Sequence, residues 1–191
     1  MANIYKNFKK YNNAISLYTE LMKNFDKNSK NYADLLFRRG GSNERLGNYL
    51  ESDKDLLEAL KILPDNSYTL NYLAYSWLER KINILKAVEM LETAYKNNEE
   101  DPYITDSVGW GYYLIGKYQK AEKFMRKAIM LMPNDPIVND HYGDILWRLN
   151  KKLQAKYYWE SVLNLEDAEE EMKAKIKIKL LIGPEVENNN S

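Results

Sequence analysis

The chain has 191 residues, no cysteine and a formal net charge of zero, which excludes a disulfide framework, a thiol nucleophile and a thiolate metal site. The balanced charge gives no general attraction for phosphate backbones, so nucleic acid is not expected as a partner. Hydrophobic residues at 45% and charged residues at 29% are typical of a globular protein with solvated helix faces.

The first predicted element is a helix over residues 12–24, indicated by Ala14, Tyr18 and Leu21. Residues 1–10 before it are too short for a complete helix of the kind that follows later in the chain. We therefore predict an incomplete helical hairpin at residues 1–30, and expect the chain to be truncated or to come from a longer parent. No apolar segment at the start has the length of a signal peptide, and no stretch approaches the ~20 apolar residues of a membrane span.

Four helical hairpins are predicted next, at residues 31–66, 67–101, 102–135 and 136–168. Small residues recur in their first helices at intervals of 34, 35 and 34 positions, at Gly40, Ala74, Gly109 and Gly143. A second series lies in the second helices, at Ala14, Ser52, Ala87, Ala121 and Ala155, and its last four members are separated by 35, 34 and 34 positions. Small side chains at both places allow the two helices of a hairpin to cross closely, so the pattern predicts a stack of antiparallel helix pairs.

The helix ends agree with these boundaries. Asp101-Pro102 and Asp135-Pro136 each place a capping carboxylate before a proline at the first helical position. Pro64 and Pro133 are expected to end the preceding helices. The first complete hairpin is the weakest, because Arg39 and Asn43 stand where apolar residues usually pack, and we expect it to pack more loosely.

The last predicted element is an amphipathic capping helix at residues 169–183, with Met172, Ile176, Leu180 and Leu181 on its apolar side. Gly183-Pro184 is expected to stop it, which leaves residues 184–191 as a polar tail. Residues 1–183 are thus predicted to form one all-α domain that the capping helix closes.

The repeat resembles that of the tetratricopeptide family. The third hairpin matches the family pattern best, at Thr105, Val108, Gly109, Tyr112, Gly116, Tyr118, Ala121, Met125, Ala128 and Pro133. The resemblance implies a right-handed α-solenoid of antiparallel helix pairs. It also implies a non-catalytic scaffold that binds a protein or peptide partner on the concave face of the first helices.

A closer likeness covers roughly residues 64–167. Residues 70–77, 106–110 and 139–144 resemble the C-terminal repeats of an alphaproteobacterial group of tetratricopeptide proteins. Members of that group are usually longer and often carry an export signal. Because no segment of signal-peptide length is present, the sequence as written predicts a cytoplasmic protein. If the chain is a fragment of such a longer protein, the alternative is a periplasmic or envelope location.

In this repeat type, positions two, five, nine, twelve and thirteen of each first helix face the groove. We call these the groove positions. Positions are counted so that the small residue of the first helix, such as Gly109, is position eight. The residues predicted to contact a partner are Tyr68, Asn71, Tyr75, Tyr103, Asp106, Trp110, Tyr113, Asp140, Asp144, Trp147 and Arg148. The other groove positions are Leu78, Glu79, Leu114 and Ile137. Aromatic side chains offer large contact area at low entropy cost, which favours partner binding.

The charges at these positions predict the chemistry of the partner. Some tetratricopeptide domains hold a terminal carboxylate with lysine, arginine and asparagine, but positions five and nine here contain no lysine. Since Asp106, Asp140 and Asp144 would repel a carboxylate, a neutral or basic and partly apolar peptide or helix is expected. Two alternatives stay open: Trp110 and Trp147 pack on a neighbouring repeat, or exposed aromatics mediate self-association.

Chemistry other than binding has little support in the sequence. The single histidine, His141, lies beside Asp140, but adjacent residues project about 100° apart on a helix and do not converge on one ion as an i, i+4 pair does. The chain has no glycine-rich phosphate loop and no nucleophile motif. No catalytic residue, no metal site and no cofactor is therefore predicted.

Overall fold

A computed structural model describes residues 10–184, and this part of the chain consists of ten helices without a strand. Their bounds are α1 Tyr11–Met22, α2 Lys30–Arg45, α3 Tyr49–Ile62, α4 Ser67–Glu79, α5 Ile84–Asn97, α6 Pro102–Leu114, α7 Tyr118–Leu131, α8 Pro136–Arg148, α9 Lys152–Leu163 and α10 Glu170–Ile182. The predicted all-α class is confirmed. Residues 1–9 and 185–191 lie outside the described residues. The predictions made for them, an incomplete first helix and a polar tail, stay predictions.

The helix starts follow the predicted capping chemistry. Oδ1 of Asp101 accepts hydrogen bonds from the backbone N–H of Tyr103 and Ile104 at 2.9 and 3.0 Å, and Pro102 is the first residue of α6. Asp135 caps α8 in the same way. Each cap satisfies two backbone donors that have no partner within the helix, so the prediction from the two Asp-Pro pairs is confirmed.

The small residues lie at close helix crossings. A Cβ atom added at Gly109 would lie 3.4 Å from the backbone oxygen of Ala121 and 3.0 Å from the terminal methyl of Met125. A Cβ at Gly143 would lie 2.3 Å from the indole nitrogen of Trp159. Because α6 crosses α7 and α8 crosses α9 at these glycines, the predicted reason for the repeat is confirmed.

The contacts between helices divide the chain into two compact units, Met1–Asn83 and Ile84–Ser191. In the first unit, α1 packs on α2 and α2 on α3, around Ala14, Tyr18 and Leu36. In the second unit, α6 pairs with α7 and α8 with α9, while α10 packs on α9. Fully buried small residues, such as Ala121 and Ala155, recur at the centre of these pairs.

The polar residues of the first complete hairpin are accommodated by an ion pair. The guanidinium of Arg39 binds both carboxylate oxygens of Asp55 on the next helix, at 2.8 and 2.7 Å, and also donates to the Thr19 hydroxyl. Asn43 is buried as well. A bidentate arginine–carboxylate pair satisfies charges that would otherwise be costly to remove from water. The hairpin therefore replaces apolar packing at this position with charge pairing.

The closing helix begins one residue later and ends one residue earlier than predicted, at Glu170–Ile182. Ile176 is its one fully buried side chain, whereas Leu181 is exposed and does not belong to the buried side as the sequence suggested. Gly183 ends the helix with φ +83°, a conformation that favours glycine. A Cβ at Gly183 would lie 2.5 Å from the Trp147 ring, so the helix end also lies against α8.

Candidate functional site

The predicted partner-binding residues fall on helices of both units. Tyr68, Asn71 and Tyr75 lie on α4 in the first unit. The others lie on α6 and α8 in the second unit, where neighbouring first helices bring them together. Asn71 is half-buried, and its side-chain oxygen accepts no hydrogen bond from residues 10–184.

Three of the α6 groove positions are engaged by α8. Nδ1 of His141 donates to Oδ1 of Asp106 at 3.0 Å, and both side chains are buried. The Trp110 ring stacks on the His141 imidazole at 4.1 Å and on the Tyr113 ring at 4.7 Å, with interplanar angles near 10°. Trp110 thus packs on the neighbouring repeat, which is the alternative that the sequence left open. This stack of three rings packs α6 against α8.

These contacts repeat along the chain with one step. His141 follows Asp106 by 35 residues, Arg148 follows Tyr113 by 35 residues, and the guanidinium of Arg148 donates to the Tyr113 hydroxyl at 3.4 Å. In each contact, the residue on the second of the two first helices has a position number one higher than its partner on the preceding first helix. The register of the repeat therefore sets which polar side chains meet.

The same step connects α8 to the closing helix. The ammonium of Lys179 lies 2.5 Å from a carboxylate oxygen of Asp140 and 2.8 Å from one of Asp144, which it follows by 35 residues. The indole N–H of Trp159 donates to Asp144 at 3.2 Å. Helix α10 thus occupies the place of a further first helix, and its lysine pairs with both of the carboxylates that the sequence predicted to face a partner.

Lys179 and Asp144 have shifted pKa values. Burial, together with the charge of Asp140, raises the pKa of Asp144 to about 6. Burial lowers the pKa of Lys179, but the charges of Asp144 and Asp140 outweigh it, and the net shift is upward. A neutral Asp144 and a charged Lys179 are compatible because one ammonium faces two carboxylates. Asp144, the more buried of the two carboxylates, is the group whose raised pKa makes it take up a proton.

We expect Asp144 to make the stability of the fold depend on pH. An acid whose pKa is about 6 in the folded chain and 3.8 ordinarily binds its proton more tightly when folded, so its contribution to the free energy of unfolding rises as pH falls from 6 towards 4. Urea denaturation of the wild type and of Asp144→Asn at several pH values between 4 and 7 measures this. The wild type should gain stability relative to the variant on acidification, and parallel curves would contradict the assignment.

Trp147 is also enclosed by its own chain. Its ring lies against Gly183, is 5.3 Å from the ring of Trp159, and has the ammonium of Lys152 above it at 3.6 Å. A cation over an indole face is a favourable arrangement. Trp147 therefore contributes to the junction of α8, α9 and α10.

The second position of each predicted groove helix is different, because its side chain is large and exposed. The exposed fractions are 59% for Tyr68, 63% for Tyr103 and 46% for Ile137. These residues recur at steps of 35 and 34 positions, at the starts of α4, α6 and α8. Tyr103 and Ile137 lie on the neighbouring helices α6 and α8 of the second unit and are called the exposed row, while Tyr68 has the same position in the first unit. They are the groove positions most available to another molecule.

The first unit has a cleft beside Tyr68. Its volume is ≈ 230 Å³, and Ala33 and Phe37 of α2 line it together with Leu63 and the start of α4. Asp34, whose carboxylate binds Arg38 at 2.7 Å, stands at its edge. Asp34 and Phe37 occupy positions two and five of α2. The repeat step could have identified them from the sequence, because they lie 34 residues before Tyr68 and Asn71.

A second set of groove positions was also missed, on α10. A step of 34 residues from Asp140, Asp144, Trp147 and Arg148 leads to Ala174, Ile178, Leu181 and Ile182. All four are exposed. The amphipathic pattern of α10 predicts a cap that shields the preceding hairpin, and a helix with that role alone is not expected to carry groove positions.

The described residues offer little for metal chemistry or membrane insertion. Residues 10–184 contain no group of three or more histidine, aspartate or glutamate side chains placed to hold a metal ion. His141 is hydrogen-bonded to Asp106, and both side chains are buried. Over the same residues, no helix has the length and apolar character that crossing a bilayer requires.

Comparison with known sequences identifies the repeat. Residues 109–135 match the sequence profile of the tetratricopeptide repeat. A TPR repeat-containing protein of Pseudomonas aeruginosa, PA4667, is 35% identical over 111 residues, or 58% of this chain. The chain spans only 19% of the length of that relative.

Solved structures show the same fold at low identity. TTC0263, a thermophilic TPR protein of Thermus thermophilus, has a TM-score of 0.73 at 16% identity, covering 95% of this chain and 96% of its own. MamA of Desulfovibrio magneticus has a TM-score of 0.68 at 20% identity, covering 88% and 97%. A tetratricopeptide repeat protein of Parabacteroides merdae has a TM-score of 0.73 at 19% identity, covering 93% and 68%. The recognition of tetratricopeptide repeats and of an all-α solenoid fold is confirmed.

Proposed function

We propose that this tetratricopeptide-repeat chain is a non-catalytic scaffold that binds a protein partner through the groove positions of its first helices. The fold class is in general one of protein-interaction scaffolds, which supports the coarser part of the proposal. One observation carries the finer part. The exposed row places two large exposed side chains, Tyr103 and Ile137, at the starts of α6 and α8.

The distribution of exposure supports contact at this row. Deeper groove positions are occupied within the chain: Asp106 by His141, and Asp140 and Asp144 by Lys179. Side chains that already have partners gain little from a ligand, whereas exposed tyrosines gain contact area at small entropy cost. The partner is therefore expected to lie across the exposed row.

The same pairing changes the expected charge of the partner. The sequence favoured a neutral or basic peptide because three carboxylates stood at groove positions. Lys179 lies within 3.0 Å of both Asp140 and Asp144 and offsets part of their repulsion of an acidic ligand, while the Asp106 carboxylate is buried against His141. An apolar contact surface is thus the main recognition feature proposed for the exposed row.

In the first unit, the cleft beside Tyr68 would accept one apolar side chain of the partner. Its volume of ≈ 230 Å³ exceeds that of a single leucine or phenylalanine side chain, and Phe37 and Leu63 provide an apolar lining. Tyr68 stands at its edge with an exposed ring. A peptide bound to the first unit would insert one anchor residue here.

The proposal is tested by capture from an extract of the source organism. Immobilised wild type is compared with the double variant Tyr103→Ser/Ile137→Ser, and retained proteins are quantified by mass spectrometry. We expect the specifically retained proteins to fall by at least about tenfold in the variant, because two anchoring side chains are lost. Leu153→Ser on α9, an exposed apolar residue outside the groove positions, is the matched control and should retain them.

Equal retention by the double variant and the wild type would remove the exposed row from the proposal. Self-association is the second hypothesis, and sedimentation over a range of concentrations distinguishes it. A mass that doubles with concentration in the wild type and stays monomeric in Tyr103→Ser/Ile137→Ser would make a second copy of the chain the partner.

A further inference from the structure

We propose that the outward face of α10 is a docking surface for an amphipathic helix whose apolar stripe is flanked by acidic side chains. This inference rests on the proposed scaffold function and specifies a partner chemistry for the second unit. It starts from the two faces of α10, both of which carry apolar residues.

The inward face of α10 is the one that holds it to the fold. Ile176 is fully buried, and Met172 and Leu180 are half-buried. Lys179, on the same side, reaches Asp140 and Asp144. These residues are spaced at three, four and seven positions, which places them on one side of a helix.

The opposite face is apolar and exposed. Ala174, Ile178, Leu181 and Ile182 follow one another at steps of four, three and one, and the last three are exposed at 56%, 84% and 77%. We call them the outward stripe. A helix that only capped a solenoid would present polar residues here. Contiguous exposed aliphatic side chains are instead typical of a surface that another element covers.

The register connects this stripe to the groove. The contact between Lys179 and Asp144 has the same 35-residue step as those between His141 and Asp106 and between Arg148 and Tyr113. Each of these contacts joins one position of a first helix to the following position of the next first helix. Lys179 is therefore at position ten of α10, and the outward stripe occupies positions five, nine, twelve and thirteen. The stripe therefore continues the set of groove positions on α6 and α8 within the second unit.

The charges around the stripe select the partner. Lys175 and Lys177 flank its two edges, and Lys177 makes no ion pair with any residue from 10 to 184. Lys175 pairs at 2.8 Å with Glu171, and both of these side chains are exposed. The carboxylates of α8 that would oppose an acidic ligand are bound by Lys179. A helix with glutamates beside its apolar stripe therefore complements this surface better than one with lysines.

The test uses two designed peptides that share one leucine stripe. In one peptide the flanking positions are glutamate, and in the other they are lysine. Binding to the full chain is measured by fluorescence anisotropy at low salt. We expect the glutamate peptide to bind at least about tenfold more tightly, since each well-placed opposite charge adds to affinity under these conditions.

Variants of the stripe locate the binding. Leu181→Ser/Ile182→Ser should weaken the glutamate peptide by at least about tenfold, because two apolar contacts are lost. Both residues are exposed in the free chain, so their replacement leaves the buried contacts of α10 in place. Lys177→Glu should reduce the preference for the glutamate peptide. Met130→Ser and Leu153→Ser, which replace exposed apolar residues on α7 and α9, are the controls and should bind as the wild type does.

Three results would overturn the inference: no preference between the peptides, binding by Leu181→Ser/Ile182→Ser that equals the wild type, or no binding of the glutamate peptide at millimolar concentration. A wild type that dimerises and becomes monomeric in the same double variant would assign the stripe to a second copy instead. If the glutamate peptide fails these tests but Tyr103→Ser/Ile137→Ser still loses protein capture from the extract, the proposed function stands and α10 is not part of it.

Discussion

Replacement of Gly143 by alanine should destabilise the fold by about 2–3 kcal/mol, although alanine is the better helix former by about 1 kcal/mol. The added Cβ would lie 2.3 Å from Nε1 and 2.5 Å from Cδ1 of Trp159. That ring is fully buried, and its N–H is held by Asp144, so it has no space into which to move. Urea denaturation followed by circular dichroism measures the loss.

Gly109→Ala is the matched control, because Gly109 has the same position in the preceding repeat. Its new Cβ would lie 3.0 Å from the terminal methyl of Met125, the end of a flexible side chain. We expect a change within about 1 kcal/mol, since the gain in helix propensity offsets the displacement of that methyl. Ala74, which occupies this position in another repeat and is fully buried, agrees with such tolerance. Equal effects of the two substitutions would contradict the role assigned to Trp159.

Lys179→Met should cost about 3 kcal/mol at neutral pH, because it keeps the aliphatic volume and leaves Asp140 and Asp144 without their shared cation. The two carboxylates then repel each other in a buried environment. We expect the loss to shrink towards pH 5, because burial and Asp140 already raise the pKa of Asp144 to about 6 and protonation removes the repulsion. Denaturation at the two pH values measures both effects.

Lys175→Met on the same helix is the control. Its ion pair with Glu171 is exposed on both sides, and pairs of this kind contribute little to stability. The substitution should leave the denaturation midpoint nearly unchanged at both pH values. If Lys179→Met behaved in the same way, the contact between α10 and α8 would not hold the closing helix in place.

The helices could be predicted from the sequence because their signals are local. Asp101 and Asp135 cap helices through bonds to residues two and three positions away, so no distant contact was needed. The small residues at the crossings were visible because each hairpin repeats the same solution after 34 or 35 residues. The ion pair of Arg39 could not be predicted from the repeat, because its partner Asp55 lies on the next helix and has no counterpart in the other repeats.

The candidate site was predicted only in part. Register placed Asp106, Trp110, Asp140 and Asp144 on α6 and α8, and two residues of the predicted set, Tyr68 and Tyr103, are exposed at the second position of their helices. Their surroundings could not be predicted in the same way, because Lys179 reaches Asp140 across 39 residues and His141 reaches Asp106 across 35. Sequence spacing specifies which face of a helix a residue occupies. It does not specify which side chain of the neighbouring helix lies opposite.

What the sequence by itself determined is the order of the helices, their ends and the close crossings at Gly109 and Gly143, since each depends on steric or capping rules that act within one hairpin. Only the tertiary structure decided that the carboxylates of α8 are paired with Lys179 and that Leu181 and Ile182 face outward. The reason is physical: whether a side chain is free to bind depends on the charges and surfaces that packing brings beside it, and those come from distant parts of the chain.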